Sequence, residues 1–82
     1  MAAKTDSEGL LRFLVTSLVE NPDAVEITAR QEGTTTVYDV ALDPDDVGKV
    51  IGRKGRIIKA IRTVVRAAAG TEGDHVDVEV LG

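Results

Sequence analysis

Gly52-Arg53-Lys54-Gly55 sets two cations between two glycines, with Val50-Ile51 ahead of them and Ile57-Ile58 behind. Each part suits the binding of a phosphate chain. Glycine lets a backbone turn tightly and lets another molecule come close, because no Cβ stands in the way. The apolar residues after Gly55 keep a helical period, so the loop opens straight into a helix. The first N–H groups of that helix lack intrahelical acceptors, and such an N-terminus attracts phosphate. The residues therefore predict a clamp on a sugar-phosphate backbone, with Gly52 and Gly55 for close approach and Arg53 and Lys54 for charge.

The charge pattern supports a polyanionic ligand only when it is read locally. The chain has 82 residues and a net charge of −4, which alone argues against nucleic acid. Yet Lys49, Arg53, Lys54, Arg56, Lys59, Arg62 and Arg66 are seven of the ten cations, and no acid lies between Lys49 and Gly70. The rest of the chain sets three cations against all fourteen acids. A basic stripe on an acidic body is an electrostatic footprint that the average conceals.

The wider pattern carries a family resemblance. Val50-Ile51-Gly52-x-x-Gly55-x-x-Ile58-x-x-Ile61, preceded by Asp43-Pro44-Asp45-Asp46, resembles the signature of the KH domain. That module's GXXG loop clamps the backbone of four nucleotides. A bare G-x-x-G would mean little in a chain with eight glycines, and the full pattern with both isoleucines and both cations is far more specific. The resemblance covers the whole chain, residues 1–82 as one domain, and points to the small bacterial single-KH proteins of the KhpA (YlqC-like) type. It implies single-stranded RNA held through Gly52, Arg53, Lys54 and Gly55. Val47, Val50, Ile51 and Ile58 would line a groove for bases, and Lys49, Arg56 and Lys59 would stand on its rim. The loop grips a backbone common to RNA and single-stranded DNA, so the DNA remains an alternative ligand. The resemblance also implies self-association, a complex with a larger KH partner of the KhpB (Jag-like) type, and RNA-chaperone work linked to gene expression, peptidoglycan homeostasis and cell shape.

The elements that must position this loop follow from periodicity. Met1 to Lys4 is expected to fray, and Thr5 with Glu8 has capping-box spacing. Leu10, Leu11, Leu14, Val15 and Leu18 recur at helical intervals until Asn21-Pro22 stops them, with Phe13 expected in the core or at its rim. Val25, Ile27 and Ala29 alternate with polar residues as a half-buried strand does. A turn at Gln31-Glu32-Gly33 leads to a second strand, Thr34 to Leu42, burying Tyr38, Val40 and Leu42 with Asp39 outward. Asp43-Pro44-Asp45-Asp46 should end that strand and open a short helix, with Asp45 as its N-cap. A long helix from about Gly55 to Ala69 follows, then a loop over Gly70–Asp74. The last strand, His75 to Leu81, turns Val76, Val78 and Val80 inward.

The order α-β-β-α-α-β predicts an α+β fold. The first two strands form an antiparallel hairpin, and the third joins the second in parallel through the helical crossover. Three helices would cover one face of this three-stranded mixed sheet. Glu26, Thr28, Arg30, Asp39, Asp77 and Glu79 would keep the other face polar. This is the arrangement of type II KH domains. On the long helix Arg56, Lys59, Arg62, Thr63 and Arg66 share one polar face. The apolar remainder spans about 200°, more than the roughly 100° that a surface helix needs. Part of it, near Ile57, Ile61 and Val64, is predicted to meet a second copy or another KH protein. The alternative is that the first helix covers it.

Other classes are disfavoured by what the chain lacks. A Walker A loop needs G-x-x-x-x-G-K-[ST], but Gly48 to Gly52 is one residue short and Arg53 replaces the lysine. There is no cysteine, and His75 is the only histidine, with no partner at metal-ligand spacing. No enzyme, cofactor or metal is expected. With 2% aromatic residues the chain has no platform of the kind RRM or OB-fold readers use to stack bases. It shows no convincing signal peptide and no apolar run of bilayer length, so it is expected in the cytoplasm.

Overall fold

The computed structural model describes residues 7–70 and 75–81, so the expected frayed end and Thr5 of the capping box lie outside the described residues. Six main elements follow in the order α1 (Ser7–Leu18), β1 (Glu26–Glu32), β2 (Thr35–Ala41), α2 (Val47–Ile51), α3 (Arg56–Ala68) and β3 (Val76–Leu81). This is the α-β-β-α-α-β order of a KH-like domain.

Helix α1 buries Leu11 and Val15, one turn apart, and leaves Leu14 half-buried against the same core. Phe13 departs from the expectation of a core or rim residue, since it is 67% exposed. The cause is angular. At 100° per residue Phe13 lies about 200° round the helix from Leu11, on the side away from the sheet.

The sheet has the order β1-β2-β3, with β2 in the centre. β1 and β2 pair antiparallel from Glu26↔Ala41 to Glu32↔Thr35, and β2 and β3 pair parallel from Thr36↔Val76 to Ala41↔Leu81. The reversal sits later than expected. Gln31 and Glu32 stay in the ladder, and the chain turns at Gly33-Thr34, where Gly33 takes a φ of +61° that costs glycine little. Further along, His75 is exposed at the entrance to β3, its Nδ1 3.4 Å from Thr34 Oγ1.

All three helices pack on one face of the sheet. Val40, Val76 and Val78 meet Leu11, Val15, Val50, Ile58, Ile61 and Val65 there in one continuous core, with Val25. Tyr38 and Leu42 are half-buried against it, while Ala29 is exposed on its edge strand. On the opposite face Arg30 joins the strands, bonding Glu32 on β1, Asp39 at 2.7 Å on β2 and Glu79 at 2.8 Å on β3. Val37 is 4% exposed although it shares this polar face, because it stands in register between Arg30 and Asp77. Among the described residues no helix is long and apolar enough to cross a membrane.

Candidate nucleic-acid interface

The approach to the loop is built by acids that serve different ends. Asp43, not Asp45, does the local capping: its Oδ1 accepts the Asp45 N–H at 2.9 Å, within a single 3-10 turn at Pro44–Asp46. Asp46 stands at the N-cap position of α2 but makes no side-chain bond to that helix. Its carboxylate is buried and reaches instead to the connector after α1. There it accepts the N–H groups of Glu20 and Asn21 at 3.1 and 3.0 Å and the Asn21 side-chain amide at 3.1 Å. Lys49 Nζ adds a fourth donor at 3.2 Å. Burial alone would push the Asp46 carboxyl up. The backbone bonds from Glu20 and Asn21, with the Asn21 amide and Lys49, override it and hold the group at about 2. Asp46 thus pins the start of α2 to the end of α1.

Lys49 is committed to the same knot. Its ammonium lies 3.2 Å from Asp46 and 3.3 Å from Glu20, and its pKa is raised chiefly by the bond to Asp46. The expected rim cation is therefore already paired.

Helix α2 ends at Gly52, whose N–H bonds Gly48 O at 2.9 Å. Gly52 then adopts φ +76°, ψ 175°, a region open essentially to glycine alone. Space adds a second demand. A Cβ on Gly52 would lie 2.5 Å from Ile57 Cγ1 and 2.9 Å from Ile57 Cβ. Lys54 (φ 57°, ψ 24°) and Gly55 (φ 73°, ψ 18°) both take the left-handed conformation, and the Gly55 N–H bonds Gly52 O at 3.2 Å. Lys54 is the only non-glycine residue with positive φ among those described. Two successive left-handed residues throw the Arg53-Lys54 tip outward, and both side chains are exposed.

The apolar residues expected in a base groove divide into two sets. Val50 is fully buried and Ile58 is 9% exposed, so both belong to the core beneath the surface. Val47, Ile51 and Ile57 are half-buried and remain the apolar groups beside the loop that a ligand can reach.

The basic face of α3 also divides. Arg56 and Lys59 are exposed and, like Arg53 and Lys54, take part in no ion pair among the described residues. Arg62 and Arg66 instead reach the outer edge of β3. Arg62 donates to Val78 O and Arg66 to Val76 O, each at 2.9 Å, and both pair with Asp77. An edge strand's unpaired carbonyls are an invitation to strand addition, and here two of them are capped. Helical spacing correctly groups Arg62 and Arg66 with Arg56 and Lys59, yet it cannot show that a strand edge lies opposite the second pair.

The wide apolar sector of α3 is shared out as well. Ile58, Ile61 and Val65 join the core with Leu11 and Val15 of α1, so the first helix covers part of the excess. Ile61 is 5% exposed, Ile57 is half-buried, and only Val64, at 45% exposed, faces outward among the three residues expected at a partner surface. Ala60 and Ala67 flank Val64 on that outer ridge and are exposed too.

Comparison with known proteins agrees with this architecture. The family model described as "KhpA/KhpB, KH domain" matches residues 8–80. A protein from Oceanobacillus iheyensis named RNA-binding protein KhpA is 48% identical over 74 residues, covering 90% of this chain and 99% of the relative. Proteins of the same name from Streptomyces coelicolor and Caldanaerobacter subterraneus are 46% and 43% identical, each over 88% of this chain and 94% and 96% of their own length. No solved structure matches significantly. With a family model spanning nearly the whole chain and relatives this similar end to end, the chain belongs to the KhpA/KhpB KH-domain family.

Proposed function

We propose that the chain binds single-stranded RNA, gripping the sugar-phosphate backbone at Gly52–Gly55. Arg53, Lys54, Arg56 and Lys59 supply the charge, and Val47, Ile51 and Ile57 the apolar contact for bases. One observation carries the reading. These four cations stand exposed and outside any ion pair among the described residues, around a loop whose two glycine conformations bring backbone to the surface. The names of the relatives, RNA-binding protein KhpA, support it independently. A module that holds a few nucleotides weakly suits RNA-chaperone work in the control of gene expression, the role the family resemblance implies. The connection to cell shape and peptidoglycan homeostasis rests on that resemblance alone. The test is the double substitution Arg53→Asp with Lys54→Asp. Aspartate tolerates the left-handed conformation that Lys54 occupies, so the fold should survive. Anisotropy titration of a labelled single-stranded RNA should show binding lost while the circular-dichroism melt is kept, and unchanged affinity in the folded variant would remove the clamp. The same titration with DNA of equal sequence measures the preference between the two.

A second surface is favoured by the outer ridge of α3. We propose that Ala60, Val64 and Ala67 meet a second copy or a KH protein of the KhpB type, with Ile57 at the margin and Ile61 supporting the ridge from within. The exposed Val64 between two small side chains is the observation behind this reading, because such a ridge lets another helix approach closely. Pairing two modules raises avidity by roughly 10²–10⁴ when both sites engage one strand.

A further inference from the structure

Asp77 belongs neither to the loop nor to the exposed cations, yet its carboxylate lies where the basic stripe of α3 ends. One oxygen, Oδ1, is 2.9 Å from Arg62 Nε and 3.3 Å from Arg66 Nη2. The same oxygen accepts the Val78 N–H at 2.8 Å, which fixes its place against the strand edge. Each guanidinium donates to a carbonyl of β3 and meets this oxygen as an ion pair, which leaves the buried Arg62 Nε without a hydrogen-bond acceptor of its own. Two guanidinium groups converging on one anionic oxygen is how a phosphodiester oxygen is held. Arg62 and Arg66 also continue the line of Arg56 and Lys59 at helical spacing, so a strand following that line would meet them next. The three side chains are 30%, 46% and 37% exposed, within reach of a polyanion.

We infer that Asp77 is the chain's own stand-in for a nucleic-acid phosphate, withholding Arg62 and Arg66 from the RNA and confining the grip to the loop end of α3. This rests on the reading that the loop binds single-stranded RNA. It makes Asp77 a positioning residue that sets how many phosphates the domain neutralises, although it touches none of them.

Asp77→Asn tests the inference with little disturbance, because the amide oxygen can still accept the Val78 N–H while the charge is gone. In a salt series with single-stranded RNA, the variant's plot of log K against log[salt] should be steeper than the wild type's by about 0.7, one phosphate more. A fourfold rise in salt would then cost the variant about 2.6 times more affinity than it costs the wild type. Adding Arg62→Gln and Arg66→Gln to Asp77→Asn should restore the wild-type slope, and the same two changes in the wild-type background should leave it unaltered. An unchanged slope in Asp77→Asn, or weakened RNA binding on changing the arginines of the wild type, would overturn the inference. A second measurement needs no RNA. Titrating tripolyphosphate while following the arginine Nε–H signals should move Arg62 and Arg66 saturably in Asp77→Asn but not in the wild type. Equal movement in both proteins, or in neither, would count against Asp77. If tripolyphosphate behaves as expected while wild-type protein ignores RNA, the loop reading fails, and Asp77 still stands in for an oxyanion between Arg62 and Arg66 but has no role toward RNA.

Discussion

Replacing Gly52 by alanine separates two demands that meet at one residue. The first is backbone freedom. At φ +76° and ψ 175° any side chain is strained, at a cost on the order of 1–3 kcal/mol. The second is space. The new Cβ would stand 2.5 Å from Ile57 Cγ1 and 2.9 Å from Ile57 Cβ and Cδ1. Two of these three atoms sit at or next to the branch point of the side chain, so turning its far end away does not relieve the clash, and overpacking of this kind costs about 1–3 kcal/mol. Together Gly52→Ala should lose about 2–6 kcal/mol, a large part of a small domain's stability. Gly55→Ala is the internal comparison. Its φ of +73° is an ordinary left-handed one, and its Cβ would meet only Ile58 Cγ2, at 3.8 Å, so about 1–2 kcal/mol is expected. Urea and thermal unfolding read the difference, which at about 4–8 °C per kcal/mol is easily resolved. The double variant Gly52→Ala with Ile57→Ala should be less damaged than the two single losses summed, since the clash is gone. If Gly52→Ala melts together with Gly55→Ala, or if the double variant is strictly additive, the contact with Ile57 does not shape the loop.

Other perturbations follow from the same geometry. The Asp46 pKa is depressed from 3.8 to about 2, so its contribution to stability is complete above pH 3.8 and is lost as pH falls toward 2. Asp46→Asn should flatten that part of the acid-unfolding profile, and an unchanged profile would mean that the anchor carries no charge-dependent stability. Gly48 sits exposed inside α2 with nothing within 4 Å of a Cβ, so Gly48→Ala should stabilise the domain by roughly 0.5–1 kcal/mol in urea unfolding. A loss of RNA affinity in that stable variant would show the strand passing over α2. Four available cations give a salt slope of about −2.8 for a single strand, against about −4.9 if all seven cations of the stripe took part, and an anisotropy series at several salt concentrations distinguishes the two. Val64→Glu should leave the fold intact and split any self-associate seen by sedimentation equilibrium, whereas a wild type that is monomeric throughout and with which no KH partner co-purifies ends the ridge reading. Ile61→Tyr would be a poor substitute, because at 5% exposure it tests the core.

The fold was legible because its signals are local. Alternating valines, a helical run of leucines and a Gly-x-x-Gly between two helices each declare themselves within a few residues, and the α-β-β-α-α-β order then leaves few topologies. Phe13 breaks this legibility because its place is set by helical angle, which puts it on the outer side of α1, and not by its apolar type. What could not be read was decided by partners far away in the chain. Asp46 looks like one of several capping acids, and its hold on Glu20 and Asn21 spans 26 and 25 residues. The left-handed turn at Lys54 leaves no mark in residue type, because glycine or asparagine would be the usual choice there.

The same limit governs the charges. Seven cations within eighteen residues look like a single stripe because no acid interrupts them in sequence. In space the acids arrive from elsewhere: Glu20 from the connector after α1, Asp46 from the turn before α2 and Asp77 from β3. They meet the two ends of the stripe, engaging Lys49 at one and Arg62 with Arg66 at the other. The middle stays open for a structural reason. Arg53 and Lys54 stand on a tip that two left-handed residues lift away from the body, and Arg56 and Lys59 lie on the first turns of α3, where no acid among the described residues reaches them. A phosphate approaching the domain therefore meets uncompensated charge at the glycine loop first. There the backbone can also come close, so charge and access coincide at one end of the helix.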